Sequence, residues 1–135
     1  MKYKSHGNFF TLPNEIFLWG LAAGELAVYS FLRRCEDRKT RQCWPSIKTI
    51  GKAVNMSGNT VRKYIRQLEE RGIITAEPTE VITKAGGKRN GNLRFTLRPI
   101  QEVIDEYYAR QMEDLELAEE RQRVAKLLTE QESPA

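Results

Sequence analysis

Residues 50–65 read IGKAVNMSGNTVRKYI, and the reading of the whole chain turns on them. Ile50 and Val54, then Val61, Tyr64 and Ile65, stand three, four or one residue apart, the steps of an apolar helix face. Asn55-Met56 leaves room only for a tight connection, and asparagine is among the few non-glycine residues that tolerate φ > 0. Ser57 is a good N-cap for the second helix, and Gly51 is small where two helices would cross. Upstream, Pro45 disfavours helix at Trp44 and Ser46 caps a first helix over 46–54, with Ile47, Ile50, Ala53 and Val54 on its inner face. Downstream, the second helix runs over 57–71 on the stripe Val61, Tyr64, Ile65 and Leu68, and Gly72 ends it as a left-handed residue.

The rest of the chain is arranged around this pair. Residues 1–8 read as a flexible N-terminus. Phe9 to Leu12 reads as a short extended segment, and Pro13 opens a brief helical turn bearing Ile16, Phe17 and Trp19. From Gly24 to about Asp37 the stripe Ala27, Val28, Phe31, Leu32 and Cys35 predicts an amphipathic helix, followed by a polar loop over 36–42. Past Gly72 the period changes to two. Residues 73–77 and 81–84 form an extended arm broken at Pro78, and Leu93, Phe95 and Leu97 alternate in the returning strand. Between them, Ala85-Gly-Gly-Lys-Arg-Asn-Gly-Asn92 is a basic, glycine-rich hairpin tip. Pro99 opens a final helix to about Glu130, roughly 45 Å long at the usual rise. No repeat or low-complexity tract interrupts this order.

Charge divides the chain at the same place. The net +4 of the 135 residues conceals 18 Lys/Arg against 8 Asp/Glu over residues 1–98, and 4 against 10 over residues 99–135. The first part, at +10, would be drawn to a polyanion and the second, at −6, repelled by it. No stretch approaches the roughly 18 apolar residues that span a bilayer, and MKYKSHGNFFTLPNE carries no signal-peptide core. Cys35 and Cys43 make neither a disulfide framework nor a metal quartet, which points to a cytoplasmic protein.

In a helix-turn-helix the second helix lies in the DNA major groove while the first crosses the backbone. The outer face of the second helix here offers Gly58, Asn59, Thr60, Arg62, Lys63 and Arg66. Arginine pairs with the O6/N7 edge of guanine, asparagine with adenine, and threonine hydrogen-bonds or touches the thymine methyl. Ser57 and Gly58 with the first-turn amides, together with Ser46, Lys48 and Thr49, would hold phosphates. Lys84, Lys88 and Arg89 would clamp an adjacent groove, adding affinity and salt dependence more than sequence choice.

The chain here resembles the winged helix-turn-helix superfamily. Within it, residues 9–98 look like the DNA-binding domains of bacterial and phage replication initiators, primosome proteins and mobile-element regulators. The resemblance is carried by Phe10 to Phe17 (FTLPNEIF), Trp44 to Gly51 (WPSIKTIG), Met56 to Arg62 (MSGNTVR) and Leu68 to Ile74 (LEERGII). It implies a three-helix core with a β-hairpin wing, a recognition helix at 57–71 and a wing tip at 85–92; with the long helix read after Pro99, the expected fold is mainly α with a small β-hairpin. Asn55 stands where helix-turn-helix turns usually carry glycine.

Other features read more plainly. Gly86-Gly87-Lys88 lacks the P-loop spacing. His6 lies in the tail, Cys35 and Cys43 read as packing residues, and Glu36-Asp37 and Glu69-Glu70 as surface. Trp44, Phe31, Phe9 and Phe10 are core candidates before they are stacking platforms. Nothing points to an enzyme, a cofactor or a metal. The final helix bears Ile100, Val103, Ile104, Tyr107 and Tyr108, then Met112, Leu115, Leu117 and Ala118. Its register drifts before Val124, Leu127 and Leu128, so no coiled coil is predicted. Glu106–Arg110 and Glu119–Arg123 are helix-supporting pairs. The expectation is a sequence-specific binder of double-stranded DNA over 9–98, a homodimer through the acidic helix 99–135, and a transcriptional regulator of a mobile element or phage. A replication-initiation or primosome-type protein with a replication partner, and a protein-interaction module on the winged fold, stay open beside it.

Overall fold

Two serines begin the two helices of the central pair in the same way. In the computed structural model, which describes residues 8–132, Ser46 Oγ accepts the Thr49 N–H at 3.0 Å and Ser57 Oγ accepts the Thr60 N–H at 3.3 Å. Each cap satisfies one of the amides that a helix start leaves without a partner, worth about 1 kcal/mol. The expected tail at 1–8 lies almost wholly outside the described residues.

The elements follow in order. A 3-10 turn spans Asn14–Leu18, α1 Ala23–Cys35, β1 Gln42–Cys43, α2 Ile47–Val54 and α3 Gly58–Glu70. They are followed by β2 Ile74–Glu77, β3 Glu80–Ile82, β4 Lys88–Asn90, β5 Arg94–Leu97 and α4 Ile100–Glu132. β1, β5 and β2 form an antiparallel sheet in that order, while β3 and β4 pair separately as a hairpin. The register sets Ile74 opposite Leu97 and Glu77 opposite Arg94, with Cys43 opposite Phe95 on the other edge. This is a winged helix-turn-helix, mainly α with a small β component, as expected.

The α2–α3 turn works as its residues dictate. Asn55 takes the left-handed conformation at φ 57°, ψ 51°. A β-carbon on Gly51 would stand 2.6 Å from the Met56 carbonyl oxygen, so only glycine lets α2 approach the turn. At the far end of α3, Gly72 adopts φ +73°. The Ile73 N–H then reaches Leu68 O and the Gly72 N–H reaches Glu69 O, a Schellman stop.

The core is drawn from the 3-10 turn, the first three helices and the three-stranded sheet, while every residue of β3 and β4 is exposed. Tyr29, Phe95, Ile16, Leu32, Ile50, Leu68, Leu97, Val28 and Val61 are fully buried. Trp19 meets the Tyr29 ring edge-on at 5.7 Å between centroids.

Several expectations are corrected. α1 buries Glu25, Val28, Tyr29 and Leu32, whereas Ala27, Phe31 and Cys35 are only half-buried. The stripe is rotated by about one residue because Glu25 has a partner in Arg71. Arg71 Nε and Nη2 reach the two carboxylate oxygens, and the Ala22 N–H also reaches Oε1 at 3.3 Å. A carboxylate so paired can occupy a core position that an unpaired one could not. Ala53 is exposed, since Gly51 rather than Ala53 faces the crossing. Phe9 to Leu12 joins no sheet, and Phe9, Phe10, Phe17 and Trp44 are exposed. Gln42–Cys43, expected in the loop and just past it, pairs with β5 as an edge strand. The hairpin turn lies at 83–87, so Lys88 and Arg89 stand on β4 rather than at the tip.

The chain divides into two compact units, through Ile100 and from Gln101 onward. In the second unit α4 is a continuous helix, with Arg110 paired to Glu106 one turn away and the Tyr107 and Tyr108 rings edge-on at 5.4 Å. Its Met112, Leu115, Leu117, Val124, Leu127 and Leu128 are all exposed.

Candidate nucleic-acid interface

Burying Val61, Ile65 and Leu68 turns the opposite side of α3 to solvent, because residues three and four apart share a face. That side holds Asn59, Arg62, Lys63 and Arg66, all exposed, with Gly58 and Thr60 half-buried at its margins. Arg62 Nη1 donates to Asn59 Oδ1 at 3.4 Å, setting a guanidinium and an amide side by side at the helix start. The Lys63 ammonium stands 5.4 Å from the centre of the Tyr64 ring, a cation–π contact that leaves the charge in solvent. Tyr64 itself lies against Gly24, where any β-carbon would strike its ring.

The serine and threonine candidates have a first duty inside the fold. Ser46 Oγ donates to Thr49 Oγ1 at 2.8 Å, and the hydroxyls of Ser57 and Thr60 meet at 2.9 Å. Each pair is thus a cap with one hydroxyl hydrogen left to offer outward. Thr60 N–H and Val61 N–H are taken by Ser57. The amides of Gly58 and Asn59 head the helix with no intrahelical acceptor, a natural seat for a phosphate oxygen.

Two clefts frame this helix start. One of about 450 Å³ lies over the α2–α3 turn and includes Lys48, Lys52, Asn55, Ser57 and Gly58. The other, also about 450 Å³, separates α3 from the hairpin and is lined by Ile47, Arg62, Thr79, Asn90 and Asn92. Lys52, one turn beyond Lys48, was not singled out from the sequence, although its spacing on α2 was available. Asn90 and Asn92 were seen only as turn residues. Their place beside Arg62 follows from the fold of the hairpin, which no local pattern encodes. Asn92 Nδ2 donates to the Trp44 carbonyl at 3.1 Å, tying the wing's base to the segment that enters α2.

The three wing cations differ. Lys84, Lys88 and Arg89 are exposed. Lys88 Nζ lies 3.9 Å from Glu80 on the neighbouring strand, an exposed pair that a phosphate could displace at little cost. Across β2 and β5, Arg94 pairs with Glu77 and stiffens the root of the hairpin. The structure therefore brings Arg62, Lys48 and Lys52 around the start of α3, with Lys63 and Arg66 farther along the helix and the hairpin cations on the wing beyond the second cleft.

The cysteines stand apart from this surface. Cys43 is buried with its thiol 3.7 Å from the Leu32 carbonyl, and burial pushes its pKa up to about 12; burial also raises that of the half-buried Cys35. Among the described residues no cluster of His, Cys, Asp or Glu could hold a metal ion. No described helix is long and apolar enough to cross a membrane.

Residues 20–74 match the family model of a helix-turn-helix domain. Among solved structures, the chain is similar to a possible transcriptional regulator from Methanosarcina mazei Go1, at 17% identity over 85% of this chain and 82% of that one, with a TM-score of 0.48. It is also similar to the MepR–DNA complex of S. aureus, at 13% identity over 87% and 86% of the two chains, TM-score 0.43. A third is a MarR-family regulator from Silicibacter pomeroyi, at 18% identity over 87% and 74%, TM-score 0.43. No curated protein matches the chain.

Proposed function

We propose that this helix-turn-helix protein is a sequence-specific binder of double-stranded DNA acting in the cytoplasm as a transcriptional regulator, in the setting of a bacterial mobile element or phage. The observation that carries the reading is the start of α3. There Asn59, Arg62, Lys63 and Arg66 project from a capped helix whose opposite face is buried, within the stretch that matches the helix-turn-helix family. Asn59 and Arg62 read base edges in the major groove, and Thr60, Lys63 and Arg66 extend the contact along it. The Gly58 and Asn59 amides, Lys48 and Lys52 seat the flanking phosphates. Lys84, Lys88 and Arg89 follow the neighbouring backbone and supply a salt-dependent share of the affinity.

α4 supplies the second copy. Leu117, Val124 and Leu128 share one face around a shallow apolar groove, and the helix's excess of acid keeps it off the DNA while it pairs. A two-fold pair would set its recognition helices on half-sites one turn apart, about 34 Å. An origin-binding protein would use the same surface, and the genomic position of the bound sites separates the two roles. Selection of bound oligonucleotides from a random pool tests the proposal. A conserved, pseudo-palindromic motif is expected, and recovery of no enriched sequence at low salt would overturn it.

A further inference from the structure

A second cationic site lies away from the α3 surface. Arg33, Arg34, Arg38 and Arg41 line a cleft of about 370 Å³ whose wall is completed by Phe9 and Phe10. It sits where the Arg41 carbonyl receives the Leu97 N–H, at the end of β5 opposite the strand end that leads from the wing. Among the described lining residues the one carboxylate, Glu36, is engaged by Arg33. Arg33 Nη2 also holds the Thr11 carbonyl at 3.1 Å, which fixes the Phe9–Thr11 segment along the cleft. Arg38 and Arg41 have no carboxylate partner among the described residues, so four guanidinium groups face one acid. Burial lowers the pKa of Arg33, Tyr29 partly offsets this, and the neighbouring Arg41 and Arg38 lower it further. An anion in the cleft would relieve that crowding. Phe9 and Phe10 are 62% and 41% exposed, so both rings are open to a planar group at the edge of the cleft.

We propose that this cleft binds a nucleotide, with its phosphates on Arg34, Arg38 and Arg41 and its planar base against Phe9 and Phe10. Guanidinium groups meet phosphate oxygens in parallel pairs of hydrogen bonds, and every base offers a face to an aromatic ring. The volume lies within the range of small-ligand sites. Arg33, already tied to Glu36 and Thr11, is a positioning residue that holds the cleft open.

The test is titration calorimetry of the full chain with ADP, inorganic pyrophosphate and adenosine, in chelator. ADP should bind, pyrophosphate should bind about tenfold more weakly for loss of one stacked base, and adenosine should not bind measurably. Arg38→Ala with Arg41→Ala should abolish the ADP signal while circular dichroism and duplex-DNA gel shifts stay unchanged. Phe9→Ala with Phe10→Ala should erase the preference for ADP over pyrophosphate. Absence of ADP binding at millimolar concentration would overturn the proposal, as would ADP binding that survives the double arginine variant. Loss of duplex affinity in that variant, with no ADP binding by the parent chain, would make the arginines a DNA contact instead. The DNA-binding proposal is judged separately, by the parent chain's own gel shift.

Discussion

The winged unit and the helix that follows it solve the problem of apolar residues in opposite ways. Through Ile100, the large side chains Tyr29, Phe95, Leu32 and Ile50 are enclosed by helices and sheet, and cations dominate the outside. Along α4, Met112, Leu115, Leu117, Val124, Leu127 and Leu128 stand in solvent among an excess of carboxylates. Most helical stability in proteins comes from packing of an apolar face rather than from propensity. The first unit therefore has an enclosed core to stabilise its helices, whereas these apolar side chains of α4 gain nothing from packing. Charge separates them further, since residues 1–98 carry a net +10 and residues 99–135 a net −6, so a polyanion would attract the first and repel the second.

The largest expected effect tests the cationic side of that comparison. Arg62→Ala with Arg66→Ala should weaken duplex binding by about 3 kcal/mol, read by gel shift, with an unchanged circular dichroism spectrum; unfolding of the variant would mean that these side chains support the core. Next, Arg71→Ala strands the Glu25 carboxylate inside the first unit and should cost about 2–3 kcal/mol in urea unfolding. Arg71→Lys should recover only part of that, since one ammonium cannot serve both carboxylate oxygens.

Smaller effects probe the second unit and the wing. Leu117→Lys with Leu128→Lys should shift sedimentation toward the monomer by about 1–2 kcal/mol of association energy and leave the fold of the winged unit alone. An unchanged mass would move dimerisation off this face. Lys84→Ala with Arg89→Ala should cost about 1 kcal/mol or less and lower the slope of log affinity against log salt by about 2, without changing the preferred sequence.

The smallest effect near neutrality lies in the core and appears only in alkali. Burial pushes Cys43 from 9.0 and Tyr29 from 10.0 up to about 12. Both are neutral when protonated, so their contribution is fully present below about pH 9 and is lost as pH rises toward 12. Melting temperature should fall in that window, and less so in Cys43→Ala relative to its own neutral value.

Much of this was legible along the chain. The two serine caps, the left-handed Asn55, the Gly72 stop and the change of period after it are local devices acting over three to six residues, where a sequence carries full information. The outward set Asn59, Arg62, Lys63 and Arg66 followed from the same periodicity, because naming the buried stripe of α3 also names its opposite.

What stayed hidden depends on distant partners. A period of 3.6 says that α1 has a buried side, but adjacent rows of apolar residues compete for it. The row that holds Glu25 and Tyr29 is buried with partners outside the helix, Arg71 on Glu25 across 46 residues and Trp19 on the Tyr29 ring. The β1 edge strand exists because β5 arrives beside it, and Asn90 and Asn92 come to Arg62 only through the path of the hairpin. The arginine cleft likewise joins the N-terminal segment, the end of α1 and the following turn. The chain's order determined the elements, their ends and the division of charge, because those are set by neighbours in sequence. Tertiary structure alone decided which rows are buried and which cations converge, because burial and charge pairing are contests among groups that meet only after folding.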